Sequence, residues 1–236
     1  VDSAGNQYKS VTTFVGDFCE EEFNAQEAAL NCINSTKPET QKKYAGKTVE
    51  QLIEEWDRVG AYARALGTEI HSVMENLWYR KDYQGDPAVF AKFPEMKADF
   101  EARKKYCKQL YEKLKRVYVP IKNELIVYDA DNLLCGTIDF LAYNKQKNCY
   151  SILDWKTSKS LDLSKPGKKL LAPFDQYDAC NVNEYSIQLS TYAWIVEKHT
   201  NIKIDEMILF QIPKASTIPV FANCNDLRPC LNKILK

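Results

Sequence analysis

The sequence predicts an α/β protein in which a central mixed β-sheet contains an antiparallel meander and is flanked by helices. Apolar residues recur at helical spacing in the first half of the 236-residue chain, and segments rich in β-branched and aromatic residues follow. A further helical pattern then separates this region from a last pair of strands. The length fits a single domain over residues 1–236, mostly helical in 1–120 and with the sheet core in 121–236.

The first half predicts a series of helices. Thr48 is followed three residues later by Gln51, a capping-box pattern that marks a helix start. Apolar residues at helical spacing between Leu66 and Leu77 predict a separate helix. The predicted helices are residues 24–32, a segment that begins after Thr48, residues 66–77 and residues 93–118.

The second half predicts the sheet. Turn-forming compositions at residues 129–132 and 144–148 separate three strand-like segments, which therefore form an antiparallel meander. A long polar stretch follows at residues 158–183. The predicted strands are 121–128, 133–143, 149–155, 207–212 and 218–222, and the predicted helices are 184–198 and 226–235.

Charge and composition exclude several classes of protein. The 32 Lys and Arg balance the 32 Asp and Glu, which argues against a surface that binds nucleic acid everywhere but allows a local basic groove. No apolar run reaches the length of a membrane helix, and the first residues lack a signal-peptide core. The eight cysteines form no C-x-x-C pair. We therefore expect reduced thiols in an intracellular protein, with secretion as the alternative.

Three carboxylates are predicted to form a row across the meander. Asp154 and Lys156 share one face of the third strand, a pattern that alone indicates only a surface ion pair. If both turns are symmetric, Asp139 lies opposite Asp154, and Glu124 lies opposite Asp139. Such a row of like charges is unfavourable unless a divalent cation such as Mg²⁺ or Mn²⁺ neutralises it. A one-residue bulge between the carboxylates would break this geometry.

Two helices add candidate site residues. Gly67, His71 and Glu75 share one helical face, so His71 offers a nitrogen ligand and Gly67 allows a neighbouring backbone to approach. Gln188 and Tyr192 lie four residues apart on the predicted helix downstream. A single histidine or a polar pair of this kind is more often structural, so the combination carries the argument.

The motifs occur in one order and one structural context. Together they resemble the RecB-like branch of the PD-(D/E)XK nuclease superfamily over residues 67–192. The segment from residue 124 to residue 192 especially resembles mitochondrial genome maintenance exonucleases and related phage and viral nucleases. Ile138 replaces the proline of the superfamily name, as is common in RecB-like members. The matching motifs are Gly67-x-x-x-His71, Glu124, Gly136-Thr137-Ile138-Asp139, Ile152-Leu153-Asp154-Trp155-Lys156-Thr157-Ser158 and Gln188-x-x-x-Tyr192.

The resemblance implies a metal-dependent nuclease that hydrolyses DNA phosphodiester bonds and leaves 5′-phosphates. It further implies an exonuclease that acts on single strands or DNA ends. His71, Asp139, Asp154 and the Trp155 carbonyl would ligate one or two Mg²⁺ or Mn²⁺ ions. A bound ion of this type lowers the pKa of water and offsets phosphate charge.

The same resemblance implies roles for the remaining residues. Lys156 would orient the attacking water and stabilise transition-state charge. Glu124 would support a second metal or a metal-bound water. Gln188 and Tyr192 would position the scissile phosphate or hold the Lys156 side chain.

Some RecB-like nucleases also carry an iron–sulfur cluster, with one cysteine upstream and three near the C-terminus. Cys224 and Cys230 match the last two of these cysteines, but Phe221 stands at the remaining position. Because a cluster generally needs four ligands, we do not expect one here.

Two basic segments are candidate substrate contacts. Residues 104–116 alternate basic and aromatic types, which suits phosphate contact with base stacking; the alternative is a solvated helix with its tyrosines packed inward. The stretch 158–183 contains four lysines and is predicted to form a flap over nucleic acid.

The same residues fit two alternative functions. One is an endonuclease of the same fold, on DNA or RNA, including the cap-snatching type. Another is a non-catalytic nucleic-acid-binding module, which gains nothing from three anions beside phosphate. The expected partner is nucleic acid, with DNA favoured, without a membrane; a helicase or recombination partner is left open.

Overall fold

The computed structural model describes residues 5–19, 24–216 and 218–236. Within these residues, the strands form one mixed sheet. They are β1 (Lys9–Ser10), β2 (Tyr118–Asp129), β3 (Leu134–Asn144), β4 (Cys149–Lys156), β5 (Ile204–Gln211) and β6 (Val220–Asn223). The order is β2-β3-β4-β5-β6. Since β2 pairs along one edge of β3, the short β1 and β4 share its other edge.

Helices cover both faces of this sheet. They are α1 (Val11–Gly16), α2 (Ala25–Ile33), α3 (Pro38–Tyr44), α4 (Val49–Trp78), α5 (Pro87–Lys92), α6 (Met96–Leu114), α7 (Asn181–His199) and α8 (Arg228–Leu231). None of the helices in the described ranges combines the length and the apolar character that a membrane span needs. The predicted class, a mixed sheet with flanking helices, is confirmed.

Helix α4 differs most from the prediction. The capping box is present, because the Thr48 side chain accepts from the Gln51 amide and the Gln51 side chain accepts from the Thr48 amide. The two separate helices predicted after it are instead one helix of 30 residues. Gly60 and Gly67 lie inside it without ending it. Packing on the sheet compensates for the roughly 1 kcal/mol that a glycine costs in a helix.

Short helices and chain ends account for the other differences. Helices α1, α3 and α5 were not predicted, and they begin at a serine cap or at a proline in the first turn. The predicted helix at 93–118 is shorter, because β2 already begins at Tyr118. The predicted closing helix at 226–235 is limited to α8.

The predicted meander is confirmed together with its symmetric turns. Asn144 pairs with Cys149 and Phe140 pairs with Leu153 across the second turn. Leu125 pairs with Ile138 across the first turn, in the register that places residues 124 and 139 opposite each other. A bulge does occur in β2, between Pro120 and Lys122, but it lies outside the carboxylate region and leaves this register intact.

Two apolar cores lie on opposite faces of the sheet. Helices α4 and α6 bury a core that includes Phe100, Phe140 and Trp155. Helices α1 and α7 bury the other core, to which β4 contributes Ile152. The alternation of Ile152, Leu153 and Trp155 between these cores keeps the end of β4 between two layers of helix, where the candidate site residues emerge.

The predicted flap at residues 158–183 is wrong for its second half. Leu170 and Phe174 are buried, and the Phe174 ring packs edge-on against Phe18 with ring centroids 4.8 Å apart. An isolated bridge between Lys169 and Asp178 closes this part into a loop. Burial of Leu170, Phe174, Ala179 and Cys180 therefore anchors this part although Leu171 between them is exposed, and residues 162–169 before it are exposed throughout.

Candidate active site

His71 projects from α4 toward the end of β4. Its Nε2 lies 2.8 Å from the Trp155 carbonyl oxygen, and its Nδ1 lies 3.4 Å from Asp139 Oδ2. Both ring nitrogens thus face acceptors, an arrangement that suits the doubly protonated ring. Burial disfavours the charged ring, but the Asp139 carboxylate outweighs it and raises the pKa of His71 to about 9.

Asp139 lies where β3 and β4 stop pairing. The last backbone pair before the site is Phe140 with Leu153, and the Trp155 amide donates instead to Asp139 Oδ2 over 2.9 Å. Burial would raise the pKa of Asp139, but the charges of His71 and Lys156 and the Trp155 amide hold it below its usual range. Asp139 is therefore an ionised carboxylate at neutral pH.

Glu124 reaches the same point from β2. Its φ of +47° is in the left-handed region, which costs a non-glycine residue about 1–2 kcal/mol and turns its side chain out of the regular strand pattern. One ligand atom each of Glu124, Asp139 and His71 lie within 4.8 Å of one another. Burial, followed by repulsion from Asp139, raises the pKa of Glu124 to about 7.

Asp154 lies outside this group of three and pairs with Lys156. Lys156 Nζ is 2.9 Å from Asp154 Oδ2 and 3.2 Å from Oδ1, but only the longer contact has hydrogen-bond geometry. The buried Oδ2 therefore has no hydrogen-bond donor among the described residues. Burial raises the pKa of Asp154 to about 6. The predicted row thus divides into two carboxylates beside His71 and one beside Lys156.

Helix α7 holds Lys156 from the other face of the sheet. Lys156 Nζ lies 3.4 Å from Gln188 Oε1, and Gln188 Nε2 donates to Tyr192 Oη over 3.2 Å. Lys156 Nζ also lies 4.2 Å from the ring centre of Tyr185. The pKa of Lys156 is raised despite its burial, because Asp154 and Asp139 favour the ammonium. Sequence reasoning missed Tyr185, although its position three residues before Gln188 places both on one helical face.

Gly136 and Gly67 differ in the space that is available for a side chain. A Cβ atom on Gly136 would lie 2.6 Å from the Tyr192 ring, so the absence of a side chain is what allows Tyr192 to approach β3. A Cβ atom on Gly67 would meet only Thr157 Oγ1, at an ordinary 3.6 Å. The predicted close approach at Gly67 is therefore wrong, and the required glycine is Gly136.

The site opens to solvent through a cleft of about 590 Å³. Its wall includes His71, Glu124 and two residues that sequence reasoning did not assign to the site, Arg64 and Glu75. Arg64 is exposed and has no carboxylate within 4.0 Å in the described ranges. Their spacing on α4, seven residues before and four residues after His71, places both on the face of His71, as predicted for Glu75 but not for Arg64.

The donor set fits a hard divalent cation. One ligand atom each of His71, Glu124 and Asp139 lie close together, and the Trp155 carbonyl oxygen lies beside the same histidine. Oxygen-rich sets of this kind suit Mg²⁺ or Mn²⁺. Asp154 Oδ2, which is buried and accepts no hydrogen bond among the described residues, adds a further oxygen beside this group. These residues are therefore able to hold a metal ion, which would take the place of the proton that His71 holds in the metal-free protein.

Raised pKa values make the stability of the metal-free protein dependent on pH. The charged form of His71 favours folding below its unfolded pKa near 6.5, and this contribution is lost as the pH rises through about 9. The pKa of Glu124 is raised to about 7, so its deprotonation also lowers the stability of the folded protein as the pH rises, at lower pH than for His71. We expect the melting temperature of EDTA-treated protein to fall between pH 6 and pH 9. The fall above pH 7 should shrink in His71→Gln, and a melting temperature that rises across this range would contradict the assignment.

Helix α6 buries part of the predicted surface of alternating basic and aromatic residues, namely Lys104 and Tyr106. Lys104 is buried and pairs with Asp82 at 3.1 Å. Tyr106 is buried as well, and its hydroxyl bonds the backbone of Ile218 and Val220. The interpretation in which the tyrosines pack inward is therefore correct for Tyr106, which is not a stacking platform.

Comparison with known proteins agrees with this geometry. The family model of the PD-(D/E)XK nuclease superfamily matches residues 19–228, a range that contains all the site residues described above. A search of curated proteins finds no significant relative. Because the family model spans most of the sequence, the chain belongs to the PD-(D/E)XK nuclease superfamily.

Proposed function

We propose that this chain is a metal-dependent deoxyribonuclease of the RecB-like branch that acts as an exonuclease on single strands or DNA ends. We further propose that residues 1–236 work as one nuclease domain. The observation that carries the proposal is the convergence of His71, Glu124 and Asp139 beside the buried Lys156–Asp154 pair. A site with acids, a histidine and a lysine at a sheet end suits phosphodiester hydrolysis better than binding alone.

His71, Asp139, Asp154 and the Trp155 carbonyl are proposed to hold the metal, and Glu124 to support a second ion or a metal-bound water. A bound Mg²⁺ or Mn²⁺ supplies a water of lowered pKa and offsets the charge of the phosphate. Asp139 is ionised in the folded protein and so is ready to ligate. His71 must release its proton before it can ligate, which makes metal binding stronger at higher pH.

Lys156 is proposed to act directly on the reacting groups. Its ammonium remains charged, and both Asp154 and Gln188 contact it. In this position Lys156 can orient the attacking water and stabilise the charge that develops on the phosphate oxygens. Tyr192 positions Gln188, so the pair either supports Lys156 or contacts the scissile phosphate.

Cleavage of end-labelled DNA tests the proposal. Linear and closed circular DNA, each single- and double-stranded, are incubated with Mg²⁺ or Mn²⁺. We expect linear DNA to be shortened from its ends, with products that carry a 5′-phosphate. Activity should be lost completely in EDTA or in Asp154→Asn. Cleavage of closed circles would favour the endonuclease, and preferential cleavage of RNA would exclude the deoxyribonuclease. Binding without cleavage under all conditions would favour the non-catalytic module.

A further inference from the structure

A second, larger cleft lies at the C-terminal end of α4. It has a volume of about 870 Å³ and lies between the end of α4, the last turns of α6, the start of β2 and the turn between β3 and β4. Its lining contains six cations and one carboxylate, Asp82. The cations are Arg80, Lys81, Lys108, Lys115, Arg116 and Lys145.

Most of this positive charge is not compensated within the protein. Asp82 already pairs with Lys108 and with the buried Lys104, both at 3.1 Å. In the described part of the chain, no carboxylate lies within 4.0 Å of Arg80, Lys81, Arg116 or Lys145. The full sequence has zero net charge. Such a local concentration of cations in a neutral protein therefore indicates a site for a polyanion.

Aromatic rings line the same cleft. Trp78 stacks on Phe140 with ring centroids 4.4 Å apart, and Tyr111 packs edge-on against Trp78 at 5.1 Å. Both rings are only half-buried and belong to the lining. Cations combined with partly exposed rings are typical of sites that hold single-stranded nucleic acid, in which phosphates meet the cations and bases stack on the rings.

The cleft has a rigid frame. The Lys145 amide donates to the Val117 carbonyl over 2.9 Å, which ties the β3–β4 turn to the segment between α6 and β2. The amides of Arg80 and Lys81 donate to the last turn of α4. The cations therefore start from backbone positions that are set before a ligand binds, and this reduces the ordering cost of binding.

The second cleft and the cleft of the candidate active site both lie along α4. His71 and Trp78 are seven residues apart on α4, two helical turns, so they share one face and are separated by about 10 Å along the axis. On the facing strand, Glu124 and Pro120 are about 13 Å apart. These distances correspond to about three to four steps of a duplex strand at about 3.4 Å each, and to fewer in an extended strand.

We propose that this basic cleft binds the phosphates of single-stranded DNA a few nucleotides away from the scissile bond. The inference rests on the proposed function, since it supposes that the same strand reaches His71. It assigns to Arg80, Lys81, Arg116 and Lys145 the role of phosphate contacts, and to Trp78 that of a stacking surface. The DNA strand then runs along α4 from the Arg64 side of the active site to the end of the helix.

Binding in the absence of metal tests this inference separately from catalysis. The affinity for a fluorescein-labelled 20-nucleotide oligothymidylate is measured by fluorescence anisotropy in EDTA over a range of salt concentrations. In Arg116→Gln/Lys145→Gln, we expect binding about tenfold weaker and a salt slope shallower by about 1.4, since each single-strand phosphate contact contributes about 0.7. The matched control is Lys42→Gln/Lys43→Gln, which removes two exposed charges from α3 and should stay within twofold of the unmodified protein.

Each outcome decides the inference. Equal affinities and slopes for the two double variants would overturn it, even if the protein cleaves DNA. A loss confined to an RNA oligonucleotide would overturn the assignment to DNA. Weaker DNA binding in the cleft variant alone would support the inference, even if the protein cleaves nothing and the proposed function fails. Unchanged melting temperatures would show that the variants remain folded.

Discussion

Replacing Lys156 with glutamine is expected to reduce DNA cleavage by about 10³-fold, the effect of removing a charged donor that acts on the transition state. The ammonium is held between Asp154 and Gln188, and no other lysine or arginine in the described ranges pairs with Asp154. Glutamine keeps most of the length of the side chain but removes the positive charge. The rate of release of labelled nucleotides, at saturating DNA, measures the effect.

The control for this variant is Lys42→Gln, which removes an exposed lysine from α3. It should cleave at close to the original rate. Lys156→Gln also leaves Asp154 buried without its cation, so we expect the metal-free variant to be less stable by about 3 kcal/mol. Cleavage within tenfold of the unmodified protein would show that Lys156 is not the catalytic lysine.

Replacing Gly136 with alanine is expected to lower cleavage by about 10²-fold, although Gly136 contacts no reacting atom. The new methyl group would lie 2.6 Å from the Tyr192 ring and force it away from β3. Tyr192 accepts a hydrogen bond from Gln188, and Gln188 contacts Lys156. A shift of the Tyr192 ring is therefore expected to move the Lys156 side chain as well. A misplacement of about 1 Å is enough for a loss of this size. Overpacking should also reduce the free energy of unfolding by about 1–3 kcal/mol.

Gly67→Ala is the stability control for Gly136→Ala. Its methyl group would find an ordinary contact with Thr157 Oγ1, and alanine is favoured over glycine inside a helix by about 0.5–1 kcal/mol. Denaturant unfolding should therefore show Gly67→Ala more stable and Gly136→Ala less stable than the unmodified protein. Similar stability for both variants would contradict the contact between Gly136 and Tyr192.

Local rules made part of the site predictable. In antiparallel strands, the length of a turn sets the register of the pairs on both sides, and so the opposition of residues 124 and 139 followed from the turn composition at 129–132. The spacing of Gln188 and Tyr192 likewise followed from the period of a helix, and the two side chains are hydrogen-bonded. The capping box at Thr48 is local in the same sense.

The predictions that were wrong depend on contacts between segments that lie far apart in the sequence. The partition of the carboxylates depends on where β3 and β4 separate, because Asp139 then takes the Trp155 amide and faces His71 while Asp154 faces Lys156. Similarly, the alternation of basic residues and tyrosines on α6 does not reveal that Tyr106 turns inward toward Val220. Neither arrangement has a local pattern in the sequence.

The sequence by itself determined the sheet with its meander, the residue types of the site and their order, since turns, helical periods and the motifs depend on neighbouring residues. Only the tertiary structure decided that Glu124, rather than Asp154, joins His71 and Asp139. It also decided that cations from α4, α6 and the β3–β4 turn meet in one cleft. The physical reason is that electrostatic interactions depend on distance in space, and packing brings together side chains that lie many residues apart.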